Sequence, residues 1–323
     1  MIGVAIPFFQ RKPGLLNRAL RSIAVQQGDY RVHVYIIDDA SPIPAEQELA
    51  GLEDRLTRDI VILRQANAGP GRARNLALDK MDADVEIVAF LDSDDAWESG
   101  HLQNICRAFA AGADFYFADH RREEDLQNRF TQCGFEPDGA SIGGSDHLFW
   151  CERRGLIRAV VQRSPVGTST VAIRRSKLGA TRFPTWLRSA GEDSIFWLEV
   201  LRGDLKTACS TTMEVALGRG VSIFNHRSWG TQAALRTTLD EMRLQIHLRQ
   251  HFALDDDLTA QSKAQCRRLD QAFCAHLIGC LRRMQWPGAN LPLSYFRHRP
   301  GALLQLPPIA ARALWQKMQP SPP

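Results

Sequence analysis

Three aspartates within four residues, Asp92, Asp94 and Asp95, follow the short apolar run Ile87 to Leu91. An apolar run of this length is typical of a buried strand in a parallel sheet. Because charged side chains are rarely buried without partners, we expect the aspartates to lie where the strand ends. Ligands of open α/β sheets bind at that edge, and paired carboxylates there suit a hard divalent cation that bridges phosphate oxygens. Taken alone, the stretch equally favours a solvated acidic turn that opens a helix after Trp97.

A second acidic pair, Glu192 and Asp193, follows Gly191 and precedes the apolar helical run Ile195 to Leu201. A carboxylate in this place can act as a general base that takes a proton from an acceptor hydroxyl. Taken without context, Asp193 more often caps the helix or occupies its first turn.

The elements that must position these groups alternate along the first half of the chain. Apolar runs predict strands over residues 2–6, 32–37, 60–63, 87–91 and 115–118, and helical spacing predicts helices after Pro13 and from Pro70. This alternation predicts βαβ units and a right-handed, mostly parallel sheet. The carboxyl ends of parallel strands share one edge. We therefore expect four polar clusters to converge there, namely Phe9/Arg11, Asp38/Asp39, Asn67/Arg74 and Asp92/Asp94.

The second half of the chain is less regular at first and then helical. The pattern predicts a loop over residues 138–146, a helix over 148–161, a strand over 168–173 and an extended segment over 207–217. From Ala233 onward apolar residues recur at helical spacing. We predict a boundary near Gly230, which gives a sheet domain at 1–230 and a C-terminal helical region at 231–323.

Composition limits the class of protein. The 323 residues carry a net charge of +4, which permits an anionic ligand but does not indicate nucleic acid as a partner. Seven cysteines without a paired motif favour a reducing compartment over a disulfide framework or a zinc site. The N-terminus lacks the features of a signal peptide, and no run approaches the ~18 apolar residues of a membrane span. We expect a cytoplasmic protein, with peripheral contact at the inner face of the membrane still open.

The last segment of the chain is basic. No acidic residue follows Asp270, and the remaining basic residues are interleaved with tryptophan, tyrosine, phenylalanine and leucine; the Arg and Lys positions are Arg282, Arg283, Arg297, Arg299, Arg312 and Lys317. This composition suits an interface with anionic lipid. An ordinary basic tail packed on its own domain explains it equally well.

The polar clusters could together form a nucleotide-diphosphate site. Asp39 is placed to accept hydrogen bonds from a base or ribose, and Arg74, near the start of its helix, can reach phosphate or base. Each residue alone also has a structural explanation, Asp39 as a turn cap and Arg74 as a partner of a surface carboxylate. Dinucleotide-binding, P-loop, nucleophile-elbow and zinc-protease motifs do not occur in the sequence.

Four stretches in this order resemble family 2 glycosyltransferases of the GT-A fold, which is Rossmann-like with a mostly parallel sheet and flanking helices. The stretches are residues 4–11 (VAIPFFQR), 36–41 (IIDDAS), 67–75 (NAGPGRARN) and 90–97 (FLDSDDAW). Glu192 and Asp193 resemble the Glu-Asp motif of that family. Residues 218–224 (GRGVSIF) and Trp229-Gly230 are similar, more narrowly, to bacterial exopolysaccharide transferases of the succinoglycan type. The resemblance covers residues 1–230, with the helical region outside it.

Two positions depart from the pattern of the family. Phe9-Gln10 stands where the family often has Tyr-Asn, which loses a hydroxyl but keeps a ring that can stack on a base. Ala40 stands where the family often has Gly after the two aspartates of the second stretch. Neither departure touches the acidic groups.

The resemblance implies a donor site for a UDP-sugar. In it Asp39 and Arg74 hold the uridine with Phe9 and Arg11 beside them. The nucleotide-binding set also includes Asp92, which contacts the ribose or the metal, while Asp94 binds the metal, Mn²⁺ or Mg²⁺.

The resemblance likewise implies an inverting transfer of a hexose, glucose being favoured, to a saccharide or lipid-linked saccharide of a cell-surface polysaccharide. Asp193 would deprotonate the acceptor hydroxyl, and Glu192 and Trp186 would line the acceptor or donor-sugar pocket. A nucleotidyltransferase and a non-catalytic sugar-nucleotide-binding protein are the alternatives. The first would normally carry a basic, Gly-rich loop after its first strand, and the second would not need all three of Asp92, Asp94 and Asp193.

Overall fold

The computed structural model describes residues 1–52, 59–218 and 229–309. Within them nine strands form one sheet: β1 (Ile2–Phe8), β2 (Val32–Asp38), β3 (Ile60–Arg64), β4 (Ile87–Phe90), β5 (Ala96–Trp97), β6 (Phe115–Arg122), β7 (Leu148–Cys151), β8 (Ala172–Arg174) and β9 (Thr207–Leu217). The helices are α1 (Leu15–Ala24), α2 (Pro70–Lys80), α3 (His101–Ala110), α4 (Arg129–Cys133), α5 (Arg153–Gln162), α6 (Arg175–Leu178), α7 (Glu192–Leu201), α8 (Gln232–His251), α9 (Asp256–Arg282) and α10 (Asn290–His298).

The strand order of the sheet is β3-β2-β1-β4-β8-β6-β9-β5, with β7 paired to β9. The longest pairings, β1 with β2 and β6 with β9, are parallel, as are β1 with β4 and β2 with β3. The short strands β5, β7 and β8 pair antiparallel. The predicted fold class, a mixed α/β fold with a mostly parallel sheet and C-terminal helices, is therefore confirmed. In the parallel half β1, β2 and β4 run alongside one another and end at the same edge.

A group of aromatic side chains fixes the start of α7 behind that edge. Phe183 and Phe196 stack with ring centroids 3.8 Å apart, and Phe90 and Trp197 meet them edge-on at 5.1–6.0 Å. All four are buried. Large apolar rings bury enough surface to stabilise such an arrangement strongly. The cluster ties the end of β4 to the helix that begins with Glu192.

The chain divides into two compact units, Met1–Arg188 with Glu192–Val221, and Ser189–Gly191 with Ser222–Pro323. The second unit contains α8, α9 and α10, whose apolar faces share a core built around Leu239, Phe273 and Tyr295. Thr231 and Asp255 cap α8 and α9 by accepting hydrogen bonds from the backbone N–H groups of Ala234 and Leu258. In the described part of the chain, no helix combines the length and the apolar character needed to cross a bilayer.

Two predicted elements were wrong. The helix predicted over 148–161 begins only at Arg153, because Leu148–Cys151 forms β7 and pairs antiparallel with β9. The strand predicted over 168–173 is confined to Ala172–Arg174. The residues before it form a 3₁₀ turn in which Thr170 donates hydrogen bonds from its backbone N–H and its Oγ1 to the Gly167 carbonyl, at 3.0 and 2.8 Å. This turn lies beside the candidate site.

Candidate active site

Asp39 follows the end of β2, and its carboxylate organises the loop that leads into α2. One carboxylate oxygen accepts hydrogen bonds from the Ala68 N–H and the Gln65 side chain, both at 2.7 Å, and the other accepts from the Gly69 N–H at 2.9 Å. The Asn67 side chain donates to the Asp39 carbonyl at 3.1 Å. Asp39 is thus buried and held by neutral donors, at the edge where a nucleotide was predicted.

The departures from the family pattern have structural consequences on this side. Ala40 adopts a left-handed backbone with φ of 56°, a region that favours Gly. Gln10 is fully buried and donates to the backbone carbonyl and to the Oγ of Ser93, both at 3.0 Å. Gln10 therefore joins the end of β1 to residues 91–95, which we call the aspartate loop. The sequence did not predict this connection. The guanidinium of Arg11 lies over the Phe9 ring at 5.2 Å.

Arg74 lies in α2 between the two acidic clusters. Its side chain donates to Asp92 at 2.6 Å and to Glu192 at 3.4 Å, and its guanidinium lies 5.3 Å from the centroid of the Phe183 ring. Arg74 is only 3% exposed. Burial opposes the charge on Arg74, but Asp92 and Glu192 overcome this and raise its pKa. One buried cation thus joins carboxylates that are 100 positions apart in the sequence.

The Glu-Asp pair at the start of α7 carries raised pKa values. Burial, and then the charge of Asp193, raise the pKa of Glu192 to about 7, against the opposing effect of Arg74. Burial also raises the pKa of Asp193, although the N–H of Ser194 donates to its carboxylate at 2.6 Å. The hydroxyl of Thr168 lies 3.5 Å from the other Asp193 oxygen. A carboxylate with a raised pKa is a stronger base, as a proton acceptor requires.

Asp95, the third aspartate of the stretch after β4, is buried and has structural contacts of its own. It accepts a hydrogen bond from the Ser169 hydroxyl at 2.5 Å and from the Gly218 N–H at 2.9 Å. The same hydroxyl accepts from the Asp92 N–H at 2.9 Å. A Cβ at position 218 would lie 1.8 Å from the Asp94 carbonyl oxygen, so only Gly fits there. The remainder of the predicted 218–224 stretch, from Arg219, lies outside the described residues.

The chemistry of the aspartate loop suits a divalent cation. Asp92 and Asp94 are half-buried, whereas Asp95 is buried and its pKa is raised by burial and then by Asp94 and Asp92. The effect of Asp94 and Asp92 on Asp95 indicates an excess of negative charge in this loop. Among residues 1–52, 59–218 and 229–309 no three side chains form a ready-made metal cage. Mg²⁺-type ions in nucleotide enzymes are usually held by one or two carboxylates plus substrate phosphates, and Asp92 and Asp94 fit that donor set.

The structure brings together Arg74, Asp92, Glu192 and Asp193, with Asp94 next to them in the loop. Asp39 lies at the end of β2, two strands from β4 across β1. Trp186 lies in the turn that precedes α7 and is 43% exposed. The contacts of Gln10 and Ser169 were not predicted, because each connects loops that are far apart in the chain.

The chain is similar in sequence to known glycosyltransferases and polysaccharide biosynthesis proteins. Residues 3–177 match the family model described as glycosyl transferase family 2. The succinoglycan biosynthesis protein ExoW of Rhizobium meliloti (strain 1021) is 34% identical over 224 residues, which cover 69% of this chain and 70% of that protein. The minor teichoic acid biosynthesis protein GgaA of Bacillus subtilis (strain 168) is 25% identical over 142 residues, which cover 41% of this chain and 32% of that protein.

Solved structures share the fold. TarS 1-349 of S. aureus in complex with UDP-GlcNAc aligns with a TM-score of 0.58 and 16% identity, covering 96% of this chain and 83% of that one. The mannosyltransferase PcManGT of Pyrobaculum calidifontis, in complex with GDP-Man and Mn²⁺, aligns with a TM-score of 0.52 and 15% identity, covering 98% of this chain and 87% of that one. At this level of identity the likeness concerns the fold, which is of the GT-A type.

Proposed function

The chain belongs to glycosyl transferase family 2 and is a glycosyltransferase, and we propose that it moves a hexose from a UDP-sugar to a hydroxyl of a saccharide or lipid-linked saccharide, with inversion at the anomeric carbon. Glucose is the favoured hexose, and the product belongs to an exopolysaccharide or another cell-surface polysaccharide. A relative named for succinoglycan biosynthesis and a structural neighbour in complex with UDP-GlcNAc support this proposal.

The observation that carries the proposal is the position of Asp193. Its carboxylate lies close enough to Arg74 and Asp92 to interact with the charges of both. In the proposed reaction the acceptor hydroxyl loses its proton to the Asp193 carboxylate while its oxygen attacks the anomeric carbon. The bond between that carbon and the diphosphate oxygen breaks, and UDP leaves. The raised pKa of Asp193 suits this proton transfer, and general-base assistance is typically worth ~10²–10⁴-fold in rate.

On the donor side we assign the uridine to Asp39, with Phe9 and Arg11 beside it. We assign to Arg74 the role of orienting Asp92 toward the ribose, because its guanidinium already donates to Asp92 and Glu192. Direct contact between Arg74 and uracil stays a prediction. Glu192, whose pKa is raised to about 7 by burial and then by Asp193, and the exposed Trp186 are assigned to the sugar pocket.

Asp94 and Asp92 would hold a Mn²⁺ or Mg²⁺ ion together with the diphosphate. Such an ion supplies positive charge where negative charge grows on the leaving diphosphate. The negative charge of Asp92 and Asp94, which contributes to the raised pKa of Asp95, supports this assignment.

The test is UDP release by the purified chain across a panel of UDP-sugars and other nucleotide sugars, with Mn²⁺, Mg²⁺ or EDTA. We expect metal-dependent release from one UDP-sugar, which also identifies the donor. Release that EDTA leaves unchanged would remove the metal from the proposal. Tight UDP binding without turnover on any acceptor would favour a non-catalytic binding protein, and pyrophosphate release from a nucleoside triphosphate would favour a nucleotidyltransferase.

We assign residues 1–230 to the transferase domain and residues 231–323 to a separate helical region. We also place the protein in the cytoplasm at the inner face of the membrane, where a lipid-linked acceptor would be reached.

A further inference from the structure

The C-terminal end of α9 carries a surface of unusual composition. It exposes two tryptophans, a methionine and a leucine beside two arginines, and we call it the α9 C-terminal patch: Trp229, Leu281, Arg282, Arg283, Met284 and Trp286. Their apolar members are 44% (Trp229), 49% (Leu281), 93% (Met284) and 62% (Trp286) exposed. Exposed large apolar side chains that cluster together with basic residues indicate an interaction surface.

The turn at the end of α9 places Met284 in a strained, left-handed backbone conformation. The N–H of Gln285 donates to the Cys280 carbonyl at 2.9 Å and that of Met284 to the Leu281 carbonyl at 3.0 Å, which is the Schellman pattern of a helix end. The residue at the left-handed position of this pattern is usually Gly, but here Met284 has a φ of 58°. Since its side chain is almost fully exposed, packing does not offset the strain, and folding alone does not explain the residue.

The two tryptophans are held in place by the helices of the same unit. The side chain of Gln232 in α8 donates to the Trp286 carbonyl at 3.1 Å. The ring of Trp229 packs against Gly279 of α9, and the Arg282 guanidinium lies 6.0 Å from its centroid. The patch is therefore an ordered surface, on which the rings of Trp229 and Trp286 remain partly exposed to solvent.

The charge of the segment that forms the patch favours an anionic partner. No acidic residue follows Asp270 in the sequence, and Asp270 itself is buried and paired with Arg299 at 2.6 Å. Arg282, Arg283 and Arg297 are exposed. An anionic lipid surface combines the two chemistries that the patch offers, since tryptophan favours the headgroup region and arginine pairs with phosphate.

We propose that the α9 C-terminal patch docks the protein on an anionic lipid bilayer. Met284 and Trp286 enter the boundary between headgroups and acyl chains, while Arg282 and Arg283 pair with lipid phosphates. Leu293 of α10 and Leu304, 65% and 77% exposed, are further exposed apolar side chains of this unit, and the proposal does not use them. Arg312, Trp315 and Lys317 lie outside the described residues, and the proposal does not use them. It is also independent of the transfer reaction.

The test is co-sedimentation of the full chain with vesicles of phosphatidylcholine, with and without phosphatidylglycerol. We expect binding only to the anionic vesicles, reduced by added salt, and at least ~10-fold weaker for a Met284→Gly, Trp286→Ser double variant. Leu126→Ser is the matched control, because Leu126 is 98% exposed but lies elsewhere in the chain. The control should bind like the wild type.

The single variant Met284→Gly separates loss of binding from loss of folding. It relieves the left-handed strain, so its thermal midpoint should stay equal or rise while its vesicle binding falls. Wild-type chain that ignores anionic vesicles, or a double variant that binds them as well as the wild type, would overturn the proposal. So would a lipid-free dimer that the double variant dissociates, since a second copy would then cover the patch. Release of UDP from the donor should be equal in all variants.

Discussion

Two groups of carboxylates at the same edge of the sheet are stabilised in different ways. Asp38 and Asp39, at the end of β2, accept hydrogen bonds mainly from neutral donors. Asp38 accepts from the Ser41 and Ala45 N–H groups at 2.7 and 3.3 Å, and Asp39 from the Ala68 and Gly69 N–H groups. The second group, at the end of β4 and the start of α7, shares the charge of Arg74.

We propose that this difference separates a binding scaffold from a reactive centre. Neutral N–H donors satisfy a carboxylate without a second charge, which suits the ligand-binding role that we assign to the β2 group. In the second group several carboxylates share one guanidinium, and the pKa values of Asp95, Glu192 and Asp193 are all raised, with burial as the largest cause. Excess negative charge and raised pKa values are what a metal-bound diphosphate and a proton acceptor require.

The largest effect in the second group should come from Asp193→Asn. The substitution keeps the size of the side chain and removes the proton acceptor, so we expect transfer to fall by ~10²–10⁴-fold with UDP binding unchanged. Transfer kinetics and calorimetry with UDP measure the two quantities. If the folded variant lost UDP binding instead, the assignment of Asp193 to the acceptor side would be wrong.

Glu192 should give the second group a pH-dependent stability. Its pKa is raised from 4.5 to about 7, so between these values the folded protein holds a proton that the unfolded chain releases. This contribution is fully present below pH 4.5 and is lost as the pH rises through 7. It amounts to about 3 kcal/mol in the free energy of unfolding.

Urea denaturation from pH 5 to 8 tests this dependence. Glu192→Gln should flatten it, whereas Glu199→Gln in the same helix should not, because Glu199 is engaged with Arg202 at the surface. Equal pH dependence of the wild type and Glu192→Gln would show that Glu192 is ionised throughout.

Arg74→Lys tests whether the fork of the guanidinium matters beyond its charge. A lysine keeps one positive charge but cannot donate to Asp92 and Glu192 in the same planar geometry. Losing one hydrogen bond to a charged group is worth ~1.5–3 kcal/mol, so we expect kcat/KM to fall by ~10–100-fold. Arg72→Lys, at an exposed position two residues earlier in α2, should be neutral. Equal effects of the two variants would break the proposed link between the clusters.

The sequence predicted the position of the β2 group and the parallel half of the sheet well, because both depend on local patterns; the nucleotide-binding role of Asp39 stays a prediction. Apolar runs located β1 to β4, and the polar residues after them do lie at one edge. The contact between Arg74 and Glu192 was not predicted, since the two residues lie 118 positions apart in the chain and meet only in the folded structure. The links of Gln10 to Ser93 and of Ser169 to Asp95 were missed for the same reason.

The helix predicted over 148–161 was wrong at its start, because an apolar run alone does not distinguish a helix from a strand. Leu148 to Cys151 is an apolar run that suits a helix or a strand, and its pairing with β9 decides the outcome. Such pairing depends on tertiary structure, which periodicity does not contain. The roles assigned to Phe9, Arg11 and Trp186 stay predictions.

Ala40 offers the smallest test, on the side of the molecule where we expect no effect on chemistry. Its φ of 56° places an Ala in a region that disfavours a Cβ, so Ala40→Gly should raise the free energy of unfolding by about 1 kcal/mol. Ala50→Gly is the control, because Ala50 has an ordinary φ of −58° and Gly there should lower stability. Transfer kinetics should be unchanged in Ala40→Gly, since Asp38 and Asp39 keep their backbone donors. A loss of activity in the more stable variant would mean that strain at Ala40 helps to aim Asp39, and that the β2 group is tuned for reaction as the second group is.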